Sequence, residues 1–171
     1  RLNIPLIIDE ISMGFRINCG GSHLKLGINP DIAVFSKAMA NGYAMAAVIG
    51  KSKWMDAAQT SFISSTMWTE RVGPTAALAT LKVMERENSW EKITNTGKKM
   101  QEGWLSLANQ HNLNITVSGI PAMTSYNFNY KNALKYKTFI TQEMLKKGFL
   151  ASTNFYACTE HKDEHLTKYF L

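Results

Sequence analysis

Two short apolar runs decide the fold: Pro5-Leu6-Ile7-Ile8-Asp9-Glu10 and Asp31-Ile32-Ala33-Val34-Phe35-Ser36-Lys37. Each is continuous rather than alternating, the pattern of a strand buried on both faces in a helix-covered, mostly parallel sheet. The first ends in Asp9-Glu10 and the second in Lys37. Open α/β sheets bind ligands at the carboxyl ends of their strands, so the side chains of Asp9 and Lys37 are expected where a ligand would sit. A third buried run is Ala46-Ala47-Val48-Ile49-Gly50.

Working outward, residues 14–27 hold Gly20-Gly21, Asn18 and Ser22 and read as a loop. Residues 53–58 form a short helix and 61–73 an irregular polar stretch. Pro74 then opens a helix at its first position, with Ala76, Ala77, Leu78, Leu81, Val83 and Met84 on its apolar side. Ser89 caps a further helix over 90–111, with Ile93, Met100, Trp104, Leu105 and Leu107 on one face. Around Asn112 the texture changes. Strand signals lie at 115–118, 124–130 and 149–152, with a helix over 133–147 stopped by Gly148 and a last helix after Glu160. The expected architecture is α/β: part of a large domain over 1–112, then a small α+β domain over 113–171.

Composition excludes several classes. With 171 residues, 45% hydrophobic and 19% charged, the chain is neither disordered nor collagen-like. No apolar run reaches the roughly 18 residues of a membrane helix, so no membrane partner is expected. The net charge is +6, but the basic residues are spread out and no run of five exists. Solvated helix faces account for Lys98-Lys99 and Lys146-Lys147, and no nucleic-acid partner is expected. Cys19 and Cys158 lack metal-ligand spacing, no metal is expected, and the cysteine usage suits a reducing cytoplasm. The chain starts in mid-strand without an initiating Met, and is expected to be a fragment whose open sheet edges and apolar surface another segment or chain covers.

Taken singly, Asp9 is commonly a turn former and Lys37 commonly solvated. Together they suggest more. No charge intervenes between Asp31 and Lys37, so apolar surroundings are expected for the lysine, as imine chemistry with carbonyls favours. An acid at one strand end, a lysine after another and a Ser/Thr-rich loop before a helix are what pyridoxal 5'-phosphate needs. Its ring nitrogen wants a carboxylate, its aldehyde a lysine, and its phosphate hydroxyls or a helix N-terminus. Ile11, two residues beyond Asp9, would share its face if the strand extends that far.

Leu6-Ile7-Ile8-Asp9-Glu10-Ile11-Ser12-Met13-Gly14-Phe15-Arg16 and Pro30-Asp31-Ile32-Ala33-Val34-Phe35-Ser36-Lys37-Ala38-Met39-Ala40-Asn41-Gly42-Tyr43 closely resemble the class III pyridoxal-phosphate aminotransferases. The resemblance is to the glutamate-1-semialdehyde aminotransferase (aminomutase)-like branch, and it continues through Ile63-Ser64-Ser65-Thr66 to Gly73-Pro74 and Val117-Ser118-Gly119-Ile120-Pro121. It implies a fold-type I transferase, present here without its N-terminal part, that moves an amino group through a Lys37 imine. By the same resemblance Asp9 meets the pyridine nitrogen, Ile11 packs on the ring, and Thr66 reaches the phosphate bound by the neighbouring subunit of a homodimer. The implied substrates are an amino donor and a carbonyl acceptor: a semialdehyde, a keto sugar or a keto acid. Met13, where the family often has Thr, and Met67-Trp68-Thr69-Glu70-Arg71 after Thr66 depart from the aminomutase pattern, so the substrate stays open. Arg16 and Arg71 are candidates for a substrate carboxylate or for structural ion pairs. The isolated fragment is expected to be inactive. The alternative reading is a non-catalytic fragment or a basic-surface binding module without this cofactor.

Overall fold

The computed structural model describes residues 3–171, so Arg1 and Leu2 of the expected first domain lie outside it. The chain divides into two compact units between Trp90 and Glu91. None of the helices among the described residues is long and apolar enough to cross a membrane.

The first unit is built on a three-stranded sheet, β1 (Ile7–Glu10), β2 (Ile32–Phe35) and β3 (Ala47–Gly50), in that order. β1 and β2 run parallel, with Asp9 opposite Val34 and Glu10 opposite Phe35. β3 runs antiparallel to β2, so the sheet is mixed rather than mostly parallel. The reason is the link: residues 36–46 hold only a one-turn 3-10 helix (Lys37–Ala40), too little for the dozen or more residues of a parallel crossover.

Pairing places Glu10, Phe35 and Ala47 on one face and Asp9, Val34 and Val48 on the other. The first face packs Ala33 and Phe35 against Met39, Ala40 and Ala77, the last on helix α3 (Val72–Glu87). The second face is open: Ile7 is 56% exposed and Val48 52%. Burial on both faces, as the continuous apolar runs imply, is therefore absent from this chain alone. Two short helices complete the unit, α1 (Ser22–Lys25) and α2 (Ser52–Met55).

The second unit packs α4 (Ser89–Gln110), α5 (Ala133–Lys146) and α6 (Asp163–Phe170) with an antiparallel sheet ordered β4 (Ile115–Ile120), β5 (Met123–Phe128) and β6 (Asn154–Tyr156). Met100 and Trp104 of α4 form a core with Tyr126, Phe128 and Leu166. Ile93 joins Ala122 and Ala157. By packing, α4 thus goes with the second unit, whereas the sequence reading set the domain boundary after residue 112. Leu105, expected on the packed face, is 43% exposed. The third strand is β6 rather than 149–152, and α5 does end ahead of Gly148, whose φ of +85° suits glycine. Gly97 lets α4 approach closely: a Cβ there would lie 1.7 Å from the Pro121 carbonyl oxygen.

Candidate active site

The parallel pairing of β1 and β2 puts the ends of both strands side by side. β1 stops at Glu10 and the chain turns at once. Asp9 starts that turn, its Oδ1 accepting the Ile11 N–H at 2.9 Å. The strand thus ends before Ile11, which lies in the turn and not on the Asp9 strand face. Asp9 itself is exposed on the open face, and among the described residues its second carboxylate oxygen receives no hydrogen bond.

Lys37 follows β2 in the left-handed region, with φ +44°. Its Nζ donates a short hydrogen bond to Ser12 Oγ, on the turn after β1. Among the described residues no carboxylate pairs with it. The lysine is exposed rather than wrapped in apolar side chains, because the strand it follows is covered on one face only. It borders a cleft of about 460 Å³ with Arg16, Ser36, Asn41, Tyr43 and Met45. The Ser36 hydroxyl donates to the Met45 carbonyl at 2.8 Å and ties the two sides of that cleft. Arg16 Nε donates to the Ser12 carbonyl at 3.3 Å, bracing the turn.

Glu10, to which the sequence pattern assigns no role of its own, is wholly buried. Ser22 Oγ donates to both its carboxylate oxygens at 2.9 Å, and the His23 N–H and ring Nδ1 meet Oε1 at 2.9 and 2.8 Å. Burial pushes its carboxyl up, but the hydrogen bonds from His23 and Ser22 outweigh that and hold the pKa below its ordinary value. The group locks the far end of the loop that carries Ser12 and Arg16. An acid directly after Asp9 inside an apolar strand was the available signal, since a buried carboxylate demands donors.

Thr66 sits apart from Asp9 and Lys37, exposed in a turn over 66–69. It lines a wider cleft of about 900 Å³ with Ser36, Met45, Trp68 and Glu70. The two clefts share Ser36 and Met45, so Thr66 and Lys37 open onto adjoining spaces without touching. Glu70 accepts the Val72 N–H at 2.9 Å and the Gly73 N–H at 3.2 Å, capping α3. Helix α3 therefore starts at Val72, and Pro74 lies two residues inside its first turn, where its missing N–H leaves no bond unmade.

A family model for class III aminotransferases matches residues 1–156. The chain belongs to the class III aminotransferases. It is 34% identical over 167 residues to a 3-aminobutyryl-CoA aminotransferase of Cloacimonas acidaminovorans, which covers 94% of this chain and 40% of that protein. It is 28% identical to a glutamate-1-semialdehyde 2,1-aminomutase of Methanosphaera stadtmanae, covering 96% of this chain and 43% of the relative. Among solved structures, the FumI protein of Sphingopyxis sp. MTA144, in its PLP internal aldimine form, superposes with a TM-score of 0.91 and 26% identity over 97% of this chain and 41% of that one. This class III aminotransferase chain thus spans about two fifths of the length of the relatives it matches. The family and the PLP-bound structures indicate pyridoxal 5'-phosphate as the cofactor. The local chemistry fits that group: among the described residues, an amine with no carboxylate partner and a carboxylate oxygen with no hydrogen bond stand at neighbouring strand ends.

Proposed function

We propose that the polypeptide carrying this chain is a pyridoxal-phosphate-dependent aminotransferase working as a cytoplasmic homodimer, with Lys37 as its catalytic amine. The observation that carries the reading is Lys37 itself. It lies at the carboxyl end of a strand parallel and adjacent to the one bearing Asp9, bound to a hydroxyl and, among the described residues, to no acid. Pyridoxal 5'-phosphate, when bound, supplies a carbonyl carbon for amines and a ring that withdraws electrons from the substrate carbon. Lys37 would hold the cofactor by its amine and would hold or move the proton at the substrate carbon. Asp9 offers its unbonded oxygen to the ring nitrogen, which a carboxylate keeps protonated. Ile11, in the turn held by Asp9, packs on the ring. Thr66, on its exposed turn, binds the phosphate in the partner subunit.

The substrate pair is an amino donor and a carbonyl acceptor. A semialdehyde rearranged in the aminomutase manner, a keto acid or a keto sugar all suit an exposed specificity loop carrying Met67, Trp68 and Arg71, and the aminomutase and aminotransferase names of the relatives support this range.

The test uses the full-length polypeptide. Borohydride treatment in the presence of pyridoxal 5'-phosphate is expected to fix the cofactor's mass on the peptide containing Lys37, and Lys37→Ala to abolish it. A wild-type protein that captures no cofactor overturns the reading. A panel of semialdehyde, keto-acid and keto-sugar acceptors then assigns the substrate.

A further inference from the structure

We propose that Ser12 is a positioning residue for Lys37: its hydroxyl is the resting partner of the lysine amine whenever that amine is not bonded to the cofactor. This rests on the aminotransferase reading above and adds a residue to it. Lys37 Nζ reaches across from the end of β2 to Ser12 Oγ on the turn after β1. That turn is pinned at several points. Asp9 Oδ1 takes the Ile11 N–H at 2.9 Å, the Glu10 carbonyl takes the Gly14 N–H at 2.8 Å, and Arg16 Nε reaches the Ser12 carbonyl at 3.3 Å. Serine has a single side-chain torsion to the hydroxyl, so a pinned backbone places the oxygen with little freedom left to lose.

The chemistry of the partner is the second part of the argument. An amine that must leave and rejoin a carbonyl carbon in every turnover needs a partner that orients it and lets it go. A carboxylate would add an opposite charge to the hydrogen bond and hold the amine more tightly than a hydroxyl does. Asp9, only three residues away, has its Oδ1 occupied by the Ile11 N–H and is not the group that Lys37 contacts. The neutral hydroxyl takes that place, and Arg16 acts through it as a brace for the turn.

The experiment compares the full-length wild type with Ser12→Ala and Ser12→Thr. One readout is the rate at which Lys37 is labelled by an amine-directed reagent in cofactor-free protein, followed on its peptide by mass spectrometry. The other is the rate of cofactor capture. Ser12→Ala is expected to label Lys37 roughly threefold to tenfold faster and to capture cofactor slower by a similar factor, the range that one lost hydrogen bond covers. Ser12→Thr, which keeps the hydroxyl, is expected to restore both rates to within about twofold of wild type. If Ser12→Ala does not fold, Ser12→Cys, a poor acceptor of the same shape, replaces it with the same expectation. Wild-type rates in the hydroxyl-less variant, or a threonine variant that behaves like the alanine one, overturn the proposal. Loss of cofactor capture in the wild type itself overturns the aminotransferase reading instead, and the two failures are seen in different proteins.

Discussion

The carboxylate of Glu10 and the imidazole of His23 meet at 2.8 Å, with the acid fully enclosed and the His23 N–H on the same oxygen at 2.9 Å. Removing the acid strands those donors and the Ser22 hydroxyl, all of them buried. Glu10→Ala is therefore expected to destabilise the protein by about 3 kcal/mol or more, and Glu10→Gln, which keeps an acceptor, by less. Urea unfolding of the three proteins checks the order.

The same group sets an acid limit. Its pKa is lower in the folded state than in the unfolded chain, so its contribution is fully present above the unfolded value and is lost as pH falls through the folded one. Asp31 behaves alike, held down by the Leu6 N–H and then by Lys51. The contribution of these two carboxylates is expected to be level from neutral pH to about pH 5 and to fall below about pH 4, around and under the ordinary carboxylate range. Glu10→Gln flattens part of that fall and leaves the Asp31 part. Melting temperature against pH for wild type and variant measures it.

Gly97 gives a prediction opposite in sign to helix propensity. Alanine in a helix interior ordinarily gains about 1 kcal/mol over glycine. Here the added carbon meets the Pro121 carbonyl oxygen at 1.7 Å. Gly97→Ala is expected to cost about 1–3 kcal/mol through overpacking, read as a lowered melting temperature.

Glu70 caps α3 from outside the helix, and its charge lies at the positive end of the helix dipole. Glu70→Ala is expected to cost about 1 kcal/mol, and Glu70→Gln less. Amide exchange at Val72 and Gly73 should quicken in step, and the turn carrying Thr66 should become more open to proteolysis.

What was readable in advance follows the range of the interactions. β1 and β2 were legible because a continuous apolar run needs no partner to be recognised, and Asp9 and Lys37 because they end those runs. The stop at Gly148 was legible because its left-handed backbone is a local demand. The direction of β3 was available only from the length of its link, which runs from Ser36 to Ala46. The clasp on Glu10 was out of reach, since residues 12 and 13 positions away must fold back to make it. Ser12 escaped notice for a related cause: a serine in a turn has no pattern of its own until Lys37 arrives 25 residues later. Residues 149–152 have the composition of a strand, yet the sheet is completed further on, where Met123, Thr124 and Ser125 pair with Tyr156, Phe155 and Asn154.

The backbone of Lys37, at φ +44°, carries one more implication. A side chain in that conformation costs about 1 kcal/mol, and glycine would not incur it. Lys37→Gly should thus melt at a higher temperature than wild type while losing every function of the amine. With Lys37 as the catalytic amine proposed above, the position is one where selection for durability and selection for chemistry point to different residues, and a screen for thermal tolerance alone would draw the protein toward an inert variant.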